Sequence, residues 1–592
     1  MKTTSRMTER IRLFRQGIKL LVRTSAVYTA VILLLSGIAA LLPPINAIIL
    51  QRFLDSVVQM VESGRWLNSG LYLLLMTTII NVVIFVLNGI LGLIKRVFSD
   101  KLDLYVTDRV LNKSIMLPME TFDNATIYNH INTAITQTSS NCLNLLEAIS
   151  EIIYSSVKGL SFAYIILSFS WQIAFVSLLS VIPLLHLATK VNKHWYKIYK
   201  GRVEKKRLIE YLKLLMVKNE NVKEIKLYNV GKRIIAFITN QYILFLKEDV
   251  IARKRFLHEK VLVQYLDNIV ACGLKIWVLV IGMRRKCSLG AIMLYFNSLD
   301  DLKNSYNDLI SQFASLQNSL QYLESLDVIE CIKLPEEKEA EKYSTSFSEI
   351  EFKNVSFKYP GCDNYVLKNI SLKFERGKTY FVVGLNGSGK TTLTKLLLRL
   401  YEPTEGVILI DGKDIAKINL SEYYAHTSAI FQDFIKYPFN VFDNVAVRSL
   451  MDANNRFQTV IEHVGMQEFV AALPKQEQTL LMRDWSGGVN LSQGQWQKLA
   501  IARCMYDDGI ISILDEPFSS VDAEAETQII SNLRKSNNHK LMILISHRFS
   551  SINRTDQIIV LKNGMVVEKG THEELMQNKN LYHKLFESQR VL

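Results

Sequence analysis

Phe381-Val382-Val383-Gly384-Leu385-Asn386-Gly387-Ser388-Gly389-Lys390-Thr391-Thr392 decides how this chain is read. An apolar run from Thr379 to Val383 reads as a buried strand. A loop with three glycines follows, and Leu393 to Leu400 continues with helical character. This is the G-x-x-x-x-G-K-[ST] pattern in the strand–loop–helix setting it requires. Backbone N–H groups that close on phosphate oxygens leave no room for a Cβ, which accounts for Gly384, Gly387 and Gly389. The helix start adds positive partial charge. In such a loop Lys390 reaches the β- and γ-phosphates and the Thr391 hydroxyl ligates Mg²⁺. An ordinary glycine-rich turn is the competing reading, and it leaves both spacing and flanks unexplained.

Working outward, Ile510-Ile511-Ser512-Ile513-Leu514-Asp515-Glu516 is an apolar strand ending in two carboxylates. At the carboxyl edge of a parallel sheet Asp515 can hold Mg²⁺, directly or through water. Glu516 is then placed to polarise an attacking water. Such a pair is weak evidence alone and strong evidence downstream of a phosphate loop. Leu491-Ser492-Gln493-Gly494-Gln495 opens a further helix, from Trp496 to Met505, and makes its start receptive to an anion. By itself Ser492 would be an ordinary N-cap. Leu541 to Ile545 is another strand, closed by Ser546-His547, and His547 there can contact a γ-phosphate. From Ile350 onward strands alternate with helices, the composition of a soluble α/β domain.

The rest of the chain is of another kind. Its 592 residues exceed one domain, 49% are hydrophobic, and the formal charge is +14. The apolar excess lies before residue 320 in long runs with bases crowded between them, which fits membrane spans with basic cytoplasmic loops and not nucleic-acid binding. Six cysteines without a C-x-x-C pair indicate neither zinc nor a disulfide framework. Ala26–Leu50, Gly70–Ile94, Ile149–Ser168, Gln172–Val191, Val261–Met283 and Leu289–Leu320 give six spans, for each of which about 20 residues suffice. Pro43 and Pro44 are expected to bend the first. Glu147, Glu151 and Lys158 at the third span, and Asn297, Asp300, Asp301, Lys303, Asn304 and Asn307 on the sixth, face either interhelix partners or a water-accessible path. Arg284-Arg285-Lys286 falls on the outer side, against the positive-inside trend. The basic stretch Lys193–Arg255 reads as a helical hairpin with its tip near Asn219–Val230. Residues 1–333 thus form a membrane domain, 334–348 a charged linker, and 349–592 an ATPase domain.

Taken in order, these motifs resemble the ATP-binding cassette transporter family over essentially the whole chain. The resemblance implies an all-α six-helix transmembrane domain of type I/IV exporter fold fused to a C-terminal α/β P-loop ATPase domain. Tyr359 stands where the family stacks an aromatic ring on adenine. Gly384 to Thr391 matches its Walker A loop, which together with Thr392 puts Asn386 and Ser388 on the nucleotide. Gln432, in Phe431-Gln432-Asp433, matches the Q-loop, with a role in catalysis and at Mg²⁺. Ser492, Gln493, Gly494 and Gln495 match the signature, with Gln493 in place of the usual Gly. Asp515-Glu516 is Walker B, Asp522 closes the D-loop, and His547 is the switch histidine.

The family also implies ATP and Mg²⁺ as ligands and a homodimer in which each ATP lies between one copy's phosphate loop and the other's signature. The regions near Thr121–Tyr128 and Val222–Tyr228 would be coupling helices. The implied location is the plasma membrane of a bacterium, multi-pass and in contact with lipid, with the ATPase domain cytoplasmic. Phe431 to Tyr437, Trp485 with Gly487-Gly488, Gln495 to Lys498 and Glu224 to Leu227 look like the bacterial lantibiotic exporters. The expected cargo is then a ribosomally made modified peptide. A lipid flippase or multidrug exporter is the alternative. No cysteine-peptidase segment is read before the first span, so leader removal is expected from a separate protease, alongside modification enzymes.

Overall fold

The computed structural model describes all residues except 1, 65–67, 137, 333–346, 449–455, 508, 536–538, 547, 549–555 and 591–592. The linker expected at 334–348 therefore lies almost wholly outside the described residues. Two compact units result. One comprises residues 1–116 and 126–332, the other 117–125 and 333–592.

The first unit is helical: α1 (Lys2–Ser63) and α2 (Asn68–Met116), then, after α3 (Met119–Asp123), α4 (Ala125–Thr136), α5 (Thr138–Phe169), α6 (Trp171–Leu179), α7 (Val181–Val217), α8 (Asn219–Leu227), α9 (Gly231–Arg284) and α10 (Leu289–Cys331). Among the described residues five helical stretches are long and apolar enough to cross a membrane: Ile11–Ser63, Asn68–Met116, Asn144–Phe169, Trp171–Tyr199 and Gly231–Arg284. The sixth expected span, α10, is a continuous helix but carries too many charges to join them. Three of its charged groups are paired with neighbouring helices. Asp300 meets Lys275 at 2.7 Å, Asp301 meets Lys158 at 2.9 Å, and Lys303 meets Asp267 at 2.6 Å. Glu151 likewise meets Lys95 at 3.0 Å.

Helical dihedrals in α1 break at Ser25 (φ −166°, ψ 111°), whereas Pro43 and Pro44 sit inside the helix. Thr29, one turn beyond that break, returns its hydroxyl to the carbonyls of Ser25 at 2.9 Å and Leu21 at 3.1 Å, which ties the two sides of the break together. At the short-turn end, Arg285 donates to the carbonyl of Phe169 at 2.7 Å and lies over the Phe169 ring. A cation at a helix C-terminus is favourable. That satisfies one member of the basic cluster that the positive-inside trend left unexplained. At the same end Asp55 accepts from the Ser288 hydroxyl and the Gly290 amide, both at 2.9 Å. A Cβ on Gly290 would come within 2.4 Å of the Gln51 carbonyl, so α1 and the start of α10 meet only at glycine.

The second unit contains α3 and the ATPase domain. A four-stranded antiparallel sheet has the order β2-β1-β4-β5, from β1 (Glu349–Phe357), β2 (Leu367–Glu375), β4 (Glu405–Ile410) and β5 (Lys413–Asp414). A six-stranded sheet has the order β10-β9-β3-β8-β7-β6, from β3 (Thr379–Gly384), β6 (Thr427–Ile430), β7 (Ile511–Asp515), β8 (Leu541–Ile545), β9 (Gln557–Lys562) and β10 (Met565–Gly570). Strands β3, β7 and β8 are buried at every position, as parallel strands covered on both faces are. Alternate residues supply two cores: Phe381, Val383 and Leu514 pack with Trp496 and Leu499, while Tyr380, Val382 and Ile513 pack with Leu393 and Leu396.

Candidate active site

Strand register puts the chemistry at one edge. Val382 pairs with Ile545, and Ile545 with Asp515, so β3, β8 and β7 end side by side. The loop after β3, the carboxylates at the end of β7 and Ser546 after β8 therefore lie at one edge of the sheet, where ligands bind in open α/β sheets.

The loop closes through its glycines. Gly384 has φ 157° and no room, since a Cβ would lie 2.3 Å from the Leu561 carbonyl. Gly389, the residue before α11 (Lys390–Leu397), has φ 103°, a left-handed conformation that L side chains rarely adopt. Lys390 is buried and folded back, its Nζ donating to the carbonyls of Gly384 at 2.9 Å and Leu385 at 3.2 Å. Burial pulls this ammonium below the ordinary lysine range, and the carboxylates of Glu516 and Asp515 pull the other way. Asp515 is buried as well. Burial pushes its carboxyl up, opposed by a hydrogen bond from Thr391. Its Oδ2 and the Ser388 Oγ are both buried without a hydrogen-bond partner. Such orphaned oxygens are costly unless a ligand completes them. They stand at the positions where Mg²⁺ and a phosphate would be held, so the residues present fit both groups. Among the described residues there is no cluster of three or more His, Cys, Asp or Glu that could hold a metal.

Glu516 has left-handed backbone (φ 48°), and its N–H donates to Ile545 at 2.8 Å. A non-glycine residue held there is strained, and such strain concentrates at functional positions. Gln432 reaches Glu516 from the end of β6, and Tyr359 touches the loop helix through its hydroxyl and Thr392, 3.2 Å apart.

The signature forms a second group. The Ser492 Oγ accepts from the Gln495 N–H at 3.2 Å, and the Gln495 Oε1 accepts from the Ser492 N–H at 2.8 Å. This is a reciprocal capping box at the start of the Gln493–Asp507 helix. Gln493 accepts from Lys436 at 3.0 Å, and a Cβ on Gly494 would come within 2.7 Å of the Ser520 carbonyl. Asp522 accepts from the Ala525 N–H at 2.8 Å, a bond that holds its carboxyl below the usual range. His547 lies outside the described residues.

Two residues emerge that the motifs did not single out for a role at the site. Gln497 is buried and donates to the Glu516 carbonyl at 3.0 Å and the Ser519 hydroxyl at 2.9 Å, while accepting from the Ser520 N–H at 2.7 Å. Arg548 donates to the carbonyls of Val521 and Ser519 at 2.9 and 3.0 Å. Together they fix the backbone that follows the carboxylate pair. Gln497 lies inside the Gln495–Lys498 stretch noted for its likeness to lantibiotic exporters, but nothing local in the sequence points to its contacts with Glu516, Ser519 and Ser520.

Residues 367–519 match the family model described as ABC transporter. The subtilin transport ATP-binding protein SpaT of Bacillus subtilis is 28% identical over 572 residues, covering 94% of this chain and 91% of that protein. The ATP-dependent lipid A-core flippase of Burkholderia orbicola (strain AU 1054) is 38% identical over 242 residues, 41% of this chain and 40% of that protein. A solved structure of a bacterial Atm1-family ABC exporter with ATP bound shares the fold: TM-score 0.80 at 20% identity, covering 96% of this chain and 98% of that one.

Proposed function

We propose that this chain, an ABC exporter in which ATP hydrolysis is coupled to transport, moves a ribosomally made, modified peptide of the lantibiotic kind out of the cell. The observation that carries the substrate is the likeness to the subtilin transport protein along nearly the full length of both chains. Higher identity to the flippase is confined to two-fifths of each chain, so it carries less about cargo than a likeness along nearly the full length.

In this reading the chain works as a homodimer. Capping-box contacts hold Ser492 and Gly494 at a helix start, and a second copy would bring its phosphate loop to them. Lys390 leaves the Gly384 carbonyl and takes phosphate oxygens. Thr391, Asp515 and Gln432 would hold Mg²⁺, which when bound neutralises charge on the β- and γ-phosphates. Glu516, aimed by Gln432 and Gln497, accepts hydrogen-bonded water and withdraws its proton. The excursion helices α3 and α8 would pass closure of the ATPase domains to the membrane helices. The membrane domain would then alternate the side to which it opens.

Inside-out vesicles containing the protein test this directly. ATP-dependent uptake of a lanthionine-bridged peptide, with none of a fluorescent phospholipid or a cationic dye, is the expected result. Uptake of lipid or dye without peptide would overturn the substrate.

A further inference from the structure

Of the three ion pairs made by Asp300, Asp301 and Lys303 on α10, two differ from the third in depth and exposure. From the short-turn end, Lys158 lies eleven residues before Phe169, Lys275 nine before Arg284, and Asp300 and Asp301 eleven and twelve after Leu289. At a rise of ~1.5 Å per residue all four sit about 14–18 Å from that end. This is near the middle of a hydrocarbon core ~30 Å thick.

They are also open. The side chain of Asp300 is 52% exposed and that of Asp301 34%. Asp267, by contrast, is 6% exposed, and its partner Lys303 is also bonded to Asn268 at 2.8 Å. Asp267 therefore closes its pair with Lys303, whereas the acids of the other two pairs are accessible and Lys275 with Asp300 is the most open. Ionisable groups at mid-membrane depth face a water-filled path rather than lipid. Ser155 and Ser298 stand one helical turn from Lys158 and Asp301, on the same faces. Both hydroxyls are buried without a hydrogen-bond partner.

We propose that Lys275–Asp300 and Lys158–Asp301 form an exchange site for a peptide segment carrying one ammonium and one carboxylate. The proposal rests on the peptide-export reading and specifies what that peptide must present. A ligand with a single charge would part the pair by taking one partner and leave the other with water alone, so it gains one contact for the one it breaks. A segment with both signs exchanges with the pair: its ammonium goes to Asp300, its carboxylate to Lys275, and no charge is orphaned. The site is thus selective for zwitterionic segments over purely cationic or anionic ones.

The test uses the full chain in lipid nanodiscs and one apolar hexapeptide in four forms: free termini, N-acetylated, C-amidated, and blocked at both ends. The readout is the concentration giving half-maximal stimulation of ATP hydrolysis. The free-terminus form is expected to act at a concentration ~10-fold below either singly blocked form. Lys275→Gln leaves Asp300 unpaired, so the amidated peptide, an ammonium only, becomes the best. Asp300→Asn inverts this in favour of the acetylated peptide. The reversal Lys275→Asp with Asp300→Lys restores the original ranking and keeps the test readable should a single variant not fold. Replacing the closed pair, Lys303→Gln with Asp267→Asn, leaves the ranking unchanged. One ranking common to every variant overturns the exchange site. So does a lack of stimulation by all four forms. Either result leaves peptide export standing, because vesicle uptake measures that separately.

Discussion

Gln432 donates from its Nε2 to the Oε2 of Glu516 across 3.0 Å. The two residues are far apart in sequence and meet because β6 and β7 are parallel neighbours, with Ile430 opposite Leu514. Glu516→Gln keeps the shape and removes the base. Nucleotide binding is expected to persist while turnover falls ~100-fold or more, since a positioned base contributes that much. Single-turnover hydrolysis measured beside nucleotide binding checks it, and turnover at the unsubstituted rate would remove Glu516 from the role.

Lys390 already has carbonyl partners in the loop, at Gly384 and Leu385, so its ammonium is desolvated before nucleotide arrives. Lys390→Ala is expected to weaken nucleotide binding by ~10-fold or more, the loss of one charge-assisted hydrogen bond. An unchanged dissociation constant in equilibrium titration would contradict the assignment.

Gln497 acts through Glu516 rather than on substrate. Gln497→Ala orphans the Ser520 N–H and leaves the Glu516 carbonyl with only the long bond from the Ser519 N–H at 3.4 Å, at a cost of about 1–3 kcal/mol in stability. The kinetic signature of a positioning residue is a fall in kcat with little change in KM for ATP. A KM that rises while kcat holds would point to nucleotide contact instead.

Cys504 is buried, and burial raises its thiol from 9.0 to about 11. A folded-state value above the unfolded one favours the folded form below pH 9, and this contribution is lost as pH climbs through about 11. Its full size is on the order of 3 kcal/mol. Denaturant midpoints followed from pH 8 to 11 are expected to fall less steeply for Cys504→Ala than for the unsubstituted chain.

Tyr401 donates to the Asp123 carboxylate of α3 at 2.7 Å, and its ring meets Tyr359 edge-on at 5.3 Å. Burial raises the phenol first, and the Asp123 bond adds to it. Tyr401→Phe is expected to raise amide hydrogen exchange across Met119–Asp123 by ~10-fold or more, a charged hydrogen bond being worth about 1.5–3 kcal/mol. Unchanged protection would leave that bond without a holding role.

Local patterns carried most of what could be read in advance. The phosphate loop, the strand with Asp515 and the capping box at Ser492 each lie within a dozen residues, so spacing alone exposes them. Arg285 and Gln497 were opaque because their partners, Phe169 and Glu516, are remote in sequence. The break at Ser25 misleads in another way. Propensity points to Pro43 and Pro44, yet a proline pair inside a long membrane helix is tolerated where neighbours take up the freed carbonyls. Charges on α10 were visible, but their pairing with α5 and α9 is a tertiary fact.

Arg285 and Asp55 act together as a clasp. Through them the last turn of α5, the α9–α10 corner and the lower part of α1 are stitched into one block. Helices pinned at one tip can splay only at the other, by an amount that grows with distance from the pin. Any widening among these helices therefore starts at the long-excursion end and fades towards the clasp.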